Sequence, residues 1–383
     1  MSNIIDYLGW RGDLRFSQSA LCEIDMLIFA QLVHAPLERL GGGGIGQTLS
    51  EMQPIVYPAP PDKDANELEQ MRYKLWLAAS GTERFSGVTL KRFESHFEPE
   101  REKQFAAAMF SISGVGVVAF RGTDATLIGW KEDFNMAFVS PVPSQTEAVA
   151  FLNESAKEQH TLYVTGHSKG GNLALYSSSM CEPSVRALIK RVYSFDGPGL
   201  DDSTRNSAGY ADVNDRIEAF IPESSIIGLL MGYHDDYFII DSDGVSISQH
   251  NPYLWHVCGA RFVLVEDTTH SSRFTDATLH TFLSECSTDE RRTLVDTIFN
   301  VLSVSQAVRL RDLPRGLALH VPEVIAACKD VSPAAREVLK KVLGTLVGAG
   351  AENLRMLFGL DSKPKEEPQA PAPSAPADGG LPM

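Results

Sequence analysis

The sequence is poor in cysteine. Five occur in 383 residues, at Cys22, Cys181, Cys258, Cys286 and Cys328. The number is odd, the spacing is wide and no CxxC pair is present, which argues against a disulfide framework and a zinc cluster. HExxH is missing, as is any Asp-rich calcium loop, so neither a metal nor another cofactor is expected. Basic residues are few: 34 Lys and Arg stand against 49 Asp and Glu, a formal net charge of -15. Nucleic acid needs a basic face and is excluded as a partner. No apolar run approaches the roughly 18 residues of a membrane span. The opening MSNIIDYLGWRGDLRF has no basic region followed by an apolar core, so no leader is expected. Together these absences point to a reducing, cytoplasmic setting.

What is present suits a protein with a real core. Hydrophobic residues make up 43% and charged residues 22%. Leu21, Ile24, Leu27, Ile28 and Leu32 have helical spacing within Ala20–Ala35, a run that breaks at Pro36. LGGGGIGQTL imitates a phosphate loop through Gly41, Gly46 and Thr48. Gln47 stands where the lysine should be, and the preceding segment reads as helix, so a flexible connector is the better reading. Pro54 to Asp64 reads as a proline-rich loop.

From Phe105 strands and helices alternate. Ala106–Ile112 and Val115–Phe120 read as a hairpin, 144–160 as a helix, Leu162–Thr165 as a strand and Gly170–Met180 as a helix. Arg191–Phe195, Asp215–Ile221 and Tyr237–Asp241 read as further strands. This order predicts an α/β fold, with a mostly parallel central sheet covered by helices. Past residue 285 the text turns helical. Ser287 and Glu290 have capping-box spacing, Ser332-Pro333 marks a helix start, and Val338, Leu339, Val342, Leu343, Leu346 and Val347 form an apolar stripe. We divide the chain into a main α/β domain at 1–285, a helical extension at 286–360 and a disordered Pro/Ala-rich tail at 361–383.

The most informative stretch is TLYVTGHSKGGNLALY, Thr161 to Tyr176. An apolar strand ends in Gly-His-Ser-Lys-Gly-Gly and a helix begins at once. A strand–turn–helix elbow lifts a serine clear of a sheet, and its crowded backbone needs small neighbours, here Gly166 and Gly170. Ser168 is the expected nucleophile. The N–H of Lys169, at the start of the helix, can face a developing oxyanion. A second donor belongs on a loop after an earlier strand, and Thr123 in VVAFRGTD fits.

FRGTD followed by GHSKGGNLA resembles the class 3 lipase-like group of α/β-hydrolases. More narrowly, it is similar to a bacterial family of uncharacterised hydrolases related to those lipases. EIDMLIFAQL, GWKEDFNM, FDGPGL, IPESSIIGLL and QHNPYLW extend the likeness over roughly residues 15 to 285. The resemblance implies ester hydrolysis by a Ser–acid–His triad, on a small-molecule ester or acyl-lipid substrate. Class 3 lipases carry leucine after the nucleophile. Here it is Lys169, whose charge at the mouth argues against a long-chain, interface-activated lipase.

In this fold the base lies C-terminal to the serine, on a loop after a late strand. His34, His96, His160 and His167 come too early, and His167 is expected to pack under the turn. His250, in SISQHNPYLW, is preferred, and His270, after Phe262–Val265, is the rival. For the acid, Glu223 follows the second strand after the nucleophile, the place implied by the class 3 lipases. Asp196, after the first such strand, is the alternative. Such a carboxylate would hold the imidazole in its working tautomer. The expected chemistry is acyl transfer. A silent hydrolase fold used as a binding module, and a thioesterase or peptidase on the same triad, remain open.

Overall fold

The computed structural model describes residues 2–62, 65–123, 132–133, 135–136, 140–223, 225, 236–244 and 246–266. His270, the helical extension at 286–360, the tail at 361–383, Trp130 and Lys131 lie outside them.

An eight-stranded sheet runs in the order β1-β2-β3-β4-β5-β6-β7-β10. Its strands are β1 Thr89–Glu98, β2 Lys103–Ile112, β3 Val115–Phe120, β4 Leu162–His167, β5 Ile189–Phe195, β6 Ile217–Pro222, β7 Tyr237–Ile240 and β10 Leu264–Val265. β3 through β7 pair in parallel, while β1, β2 and β10 add antiparallel edges. The fold is thus mixed α/β with a mostly parallel centre. The β2–β3 hairpin turns at Ser113-Gly114, both with positive φ (49° and 89°). Such a pair of left-handed residues matches the twist of the flanking strands. β8 (Val257–Cys258) and β9 (Arg261–Phe262) make a small separate hairpin.

Alternation along the central strands sends side chains into two cores. Ala108, Phe110, Val117, Ala119 and Phe195 join one, and Ala107, Met109, Val118, Phe120 and Val164 join the other. The first core is covered by α1 (Ile4–Arg11), α2 (Glu23–Leu32), α3 (Leu49–Val56) and α4 (Glu67–Ser80). α2 is buried at all but its first position, and it is anchored where Thr165 Oγ1 donates to Met26 O at 3.1 Å. α5 (Pro143–Ser155), α6 (Lys169–Met180) and α9 (Ala208–Val213) cover the second core. Two short helices, α7 (Pro183–Arg186) and α8 (Asp202–Arg205), complete the set. A parallel sheet covered on both faces explains why its central strands read as continuous apolar runs. Among the described residues no helix is long and apolar enough to cross a membrane.

Three local expectations change. Pro54 lies inside α3, not in a loop: a capping box between Thr48 and Glu51 starts the helix, which runs to Val56 despite the N–H that proline lacks. Leu37–Gly44 forms two short 3-10 turns that meet at a kink at Gly41 (φ 54°), where the sequence suggested a flexible connector. β1 has no counterpart in the sequence reading. Its mixture of charged and aromatic residues carries no apolar run, and its pairing with β2 makes it an edge strand.

Candidate active site

Parallel strands deliver their carboxyl ends to one edge, where open α/β sheets place ligands. Phe120 pairs with Gly166, His167 with Phe195, and Phe195 with Phe220. The residues that follow these ends are Arg121-Gly122-Thr123, Ser168, Asp196 and Glu223, so most of the expected site residues share one rim.

Ser168 caps α6 with φ 59° and ψ -132°, a conformation that L-residues rarely adopt. Its N–H donates to Phe195 O at 2.9 Å, and its carbonyl accepts from Gly171 N at 2.8 Å. The helix can approach the strand only because glycines face each other. A Cβ on Gly166 would lie 2.0 Å from Gly170 O, and one on Gly170 would lie 2.2 Å from Phe120 O. Lys169 is the first residue of α6, so its N–H has no intrahelical acceptor.

The structure pairs His250 with Asp196, the residue kept as the alternative acid. His250 Nδ1 lies 2.6 Å from Asp196 Oδ2. A carboxylate only accepts, so Nδ1 carries the proton and Nε2 is left as the basic nitrogen. Asp196 is 1% exposed, and Ser225 Oγ donates to its other oxygen. Its φ of 46° turns the chain sharply after β5, which turns its carboxylate to the rim. Glu223 goes elsewhere: it accepts from Gln249 Nε2 at 3.0 Å. It therefore braces the residue next to His250 rather than the imidazole.

The loop carrying His250 is held from below. His167 Nε2 donates to His250 O at 2.9 Å, and the two rings sit 4.6 Å apart. Trp255 Nε1 donates to Gln249 O at 2.6 Å, with its ring 5.8 Å from that of His167. Burial, then the neighbouring His250, drives the His167 pKa well down, so this support stays neutral. His167 thus packs under the turn, as the sequence suggested. Among the described residues no hydrogen bond joins Ser168 Oγ to His250; the two are linked through His167 and through Asp196.

Lys169 is the largest correction. Its ammonium is not at the mouth: the residue is 1% exposed, and Nζ donates to Gln104 O at 2.7 Å and to Glu132 Oε2 at 3.0 Å. The charge argument against long acyl chains therefore falls away. Glu132, also 1% exposed, accepts from Gln104 N at 3.0 Å and from Ser144 N at 2.9 Å. One carboxylate thus gathers β2, the start of α5 and the start of α6. Beside it, Asp133 accepts a hydrogen bond from Thr123 Oγ1. Burial pushes the Asp133 pKa up to about 7, against the opposing pull of Lys169. That Glu132 meets Lys169 and Asp133 meets Thr123 depends on chain crossings that sequence does not display.

One cluster outside this rim could offer metal ligands. Glu94, His96 and Glu147 have ligand atoms within 4.8 Å of one another. Arg92 already pairs with Glu94, and Lys103 with Glu147 at 2.6 Å, so no ion is assigned there.

Among curated proteins nothing matches the chain. A family match does exist, and it runs over residues 79–300, taking in Thr123, Glu132, Ser168, Asp196 and His250 while leaving α1, α2 and α3 outside. Since that span is more than half of the 383 residues, the chain belongs to the Mbeg1-like family, which is lipase-like.

Proposed function

We propose that the protein is a serine hydrolase of the α/β-hydrolase fold, cleaving carboxylic esters through an acyl-enzyme on Ser168. One observation carries the reading: a serine in a strained turn at a helix start shares a sheet edge with an imidazole oriented by a buried carboxylate. Ser168 Oγ attacks the ester carbon while His250 Nε2 takes its proton. Asp196 stabilises the imidazolium and keeps its tautomer. The N–H groups of Lys169 and Thr123 receive the oxyanion, with Asp133 fixing the Thr123 side chain. His250 then protonates the leaving alcohol, and water releases the acid by the reverse path. A small-molecule ester or acyl-lipid is the substrate class, and residues 1–285 are the catalytic unit.

The missing Ser168–His250 hydrogen bond favours a second reading, a silent hydrolase fold that binds without turnover. Catalytic hydrogen bonds commonly tighten only with substrate in place, so the enzyme reading is preferred. A fluorophosphonate probe separates the two. The wild type should be labelled at Ser168 and should hydrolyse short p-nitrophenyl esters, while Ser168→Ala should do neither. Equal turnover by Ser168→Ala, or no labelling of the wild type, would remove the proposal.

A further inference from the structure

His34 is too early in the chain to serve as the base, yet it sits beside the nucleophile. Its position is set by the FRGT segment. Arg121 Nε donates to Val33 O at 2.8 Å, and Arg121 Nη2 donates to Ala35 O at 3.3 Å. One guanidinium thus grips the carbonyls on both sides of His34, just after α2 ends at Leu32. The next residue, Gly122, marks how close the parts come. A methyl there would lie 3.3 Å from Ser168 Cβ and 3.6 Å from His34 Cε1. The imidazole and the serine therefore flank the same small space.

The tautomer of His34 follows from its partner. Arg72 Nη2 lies 3.1 Å from His34 Nδ1. A guanidinium has donors only, so Nδ1 must accept. Burial, then the charges of Arg72 and Arg121, drive the imidazole pKa well below its ordinary value. The ring is neutral, and its one proton is on Nε2. That atom is buried and has no hydrogen-bond partner among the described residues. A desolvated donor left unpaired is disfavoured, and such groups in native proteins call for an explanation. His34 lies outside residues 79–300, the segment of the family match.

We infer that His34 Nε2–H is a substrate-contacting donor, selecting esters that carry a hydrogen-bond acceptor oxygen close to the scissile carbonyl. The inference rests on the reading of Ser168 as nucleophile. A purely alkyl group laid over this donor leaves it unpaired, whereas an ether or keto oxygen completes it. That oxygen can belong to the acyl part or to the alcohol part, and two isosteric substrate pairs distinguish them. For the acyl side the pair is p-nitrophenyl methoxyacetate and p-nitrophenyl butyrate. For the alcohol side it is 2-methoxyethyl butyrate and butyl butyrate.

The readout is the ratio of kcat/KM within each pair, compared between variants so that intrinsic reactivity cancels. For one of the pairs, His34→Phe should lower the preference for the oxygen-bearing ester by about tenfold. His34→Gln, whose amide can donate from a similar place, should keep most of that preference. His34→Leu replaces the phenylalanine variant if the latter does not fold. Ratios within twofold of wild type in both pairs would overturn the inference. So would an equal loss in the glutamine variant, which would mark His34 as merely structural. If the fluorophosphonate labels wild-type Ser168 while the ratios stay put, only this inference falls; if the wild type is neither labelled nor active, the nucleophile falls with it.

Discussion

At Ser168 the backbone holds a conformation that costs about 1–3 kcal/mol for a residue with a Cβ. A turn with no other task would relieve that strain by using glycine. Ser168→Gly should therefore raise stability in urea unfolding, by about 1 kcal/mol, while losing all fluorophosphonate labelling. A variant both unlabelled and less stable would remove the claim of strain held for function. Asp196 and Glu223 invite a paired test. Asp196→Asn keeps the shape but offers an N–H to His250 Nδ1, which disrupts the tautomer and should lower kcat by about 10³–10⁴-fold. Glu223→Gln retains an acceptor for Gln249 and should change kcat by less than about tenfold. The reverse ranking would restore Glu223 as the acid. The difference in legibility is physical. Ser168 could be read because its constraints are local, imposed by glycines two residues to either side. The choice of acid depends on where the His250 loop descends on the rim, and that is fixed by Trp255 and His167, which are far apart in sequence.

Among the elements, the link between β2, α5 and α6 is ionic, and it lies in a core. Lys169 and Glu132 are both 1% exposed, so each charge depends on the other. Removing one partner leaves the other buried and uncompensated, which typically costs about 3–5 kcal/mol. Lys169→Met should therefore destabilise strongly in urea unfolding, and the double variant Lys169→Met with Glu132→Gln should recover part of the loss. Glu132→Gln keeps a carbonyl to accept from Gln104 N or Ser144 N but not both charge-assisted bonds, so recovery should be incomplete. A double variant as unstable as the sum of the singles would show that the two charges are not coupled. Elements were legible where their residues are buried on both faces: β3, β4, β5 and α6 announce themselves as apolar runs bounded by turns. β1 has only an edge to fill, and α4 has only four buried residues, so neither leaves a strong periodic trace. Lys169 misled for the same reason in reverse, since its single charge says nothing about a carboxylate 37 residues away.

At the largest scale, the first and last of the described segments meet at one seam. Trp10 Nε1 donates to Gly259 O at 3.0 Å, and Val257 N donates to Ser2 O at 2.9 Å. His256 stands at this seam, with Nδ1 2.9 Å from Asp241 Oδ2 and Nε2 3.0 Å from Asp243 Oδ2. Burial alone would lower this imidazole, but hydrogen bonds and charge from Asp241 and Asp243 outweigh it and raise its pKa. A raised histidine contributes stability that is complete below the unfolded value of about 6.5 and is lost as pH rises through the folded value. His34 and His167, both depressed, act with the opposite sign: they favour unfolding as pH falls below about 6.5. Replacing His256 isolates its own share. His256→Gln should cost more stability at pH 6 than at pH 8.5, because the charged tie weakens as pH rises toward and through the raised value. Urea midpoints at the two pH values measure this directly. The gap should narrow in 1 M salt at the exposed Asp243 end, where the side chain is 58% accessible, and persist at the more buried Asp241 end. Equal losses at both pH values would mean that His256 does not change charge between them, and would remove the claim of a pH-dependent tie.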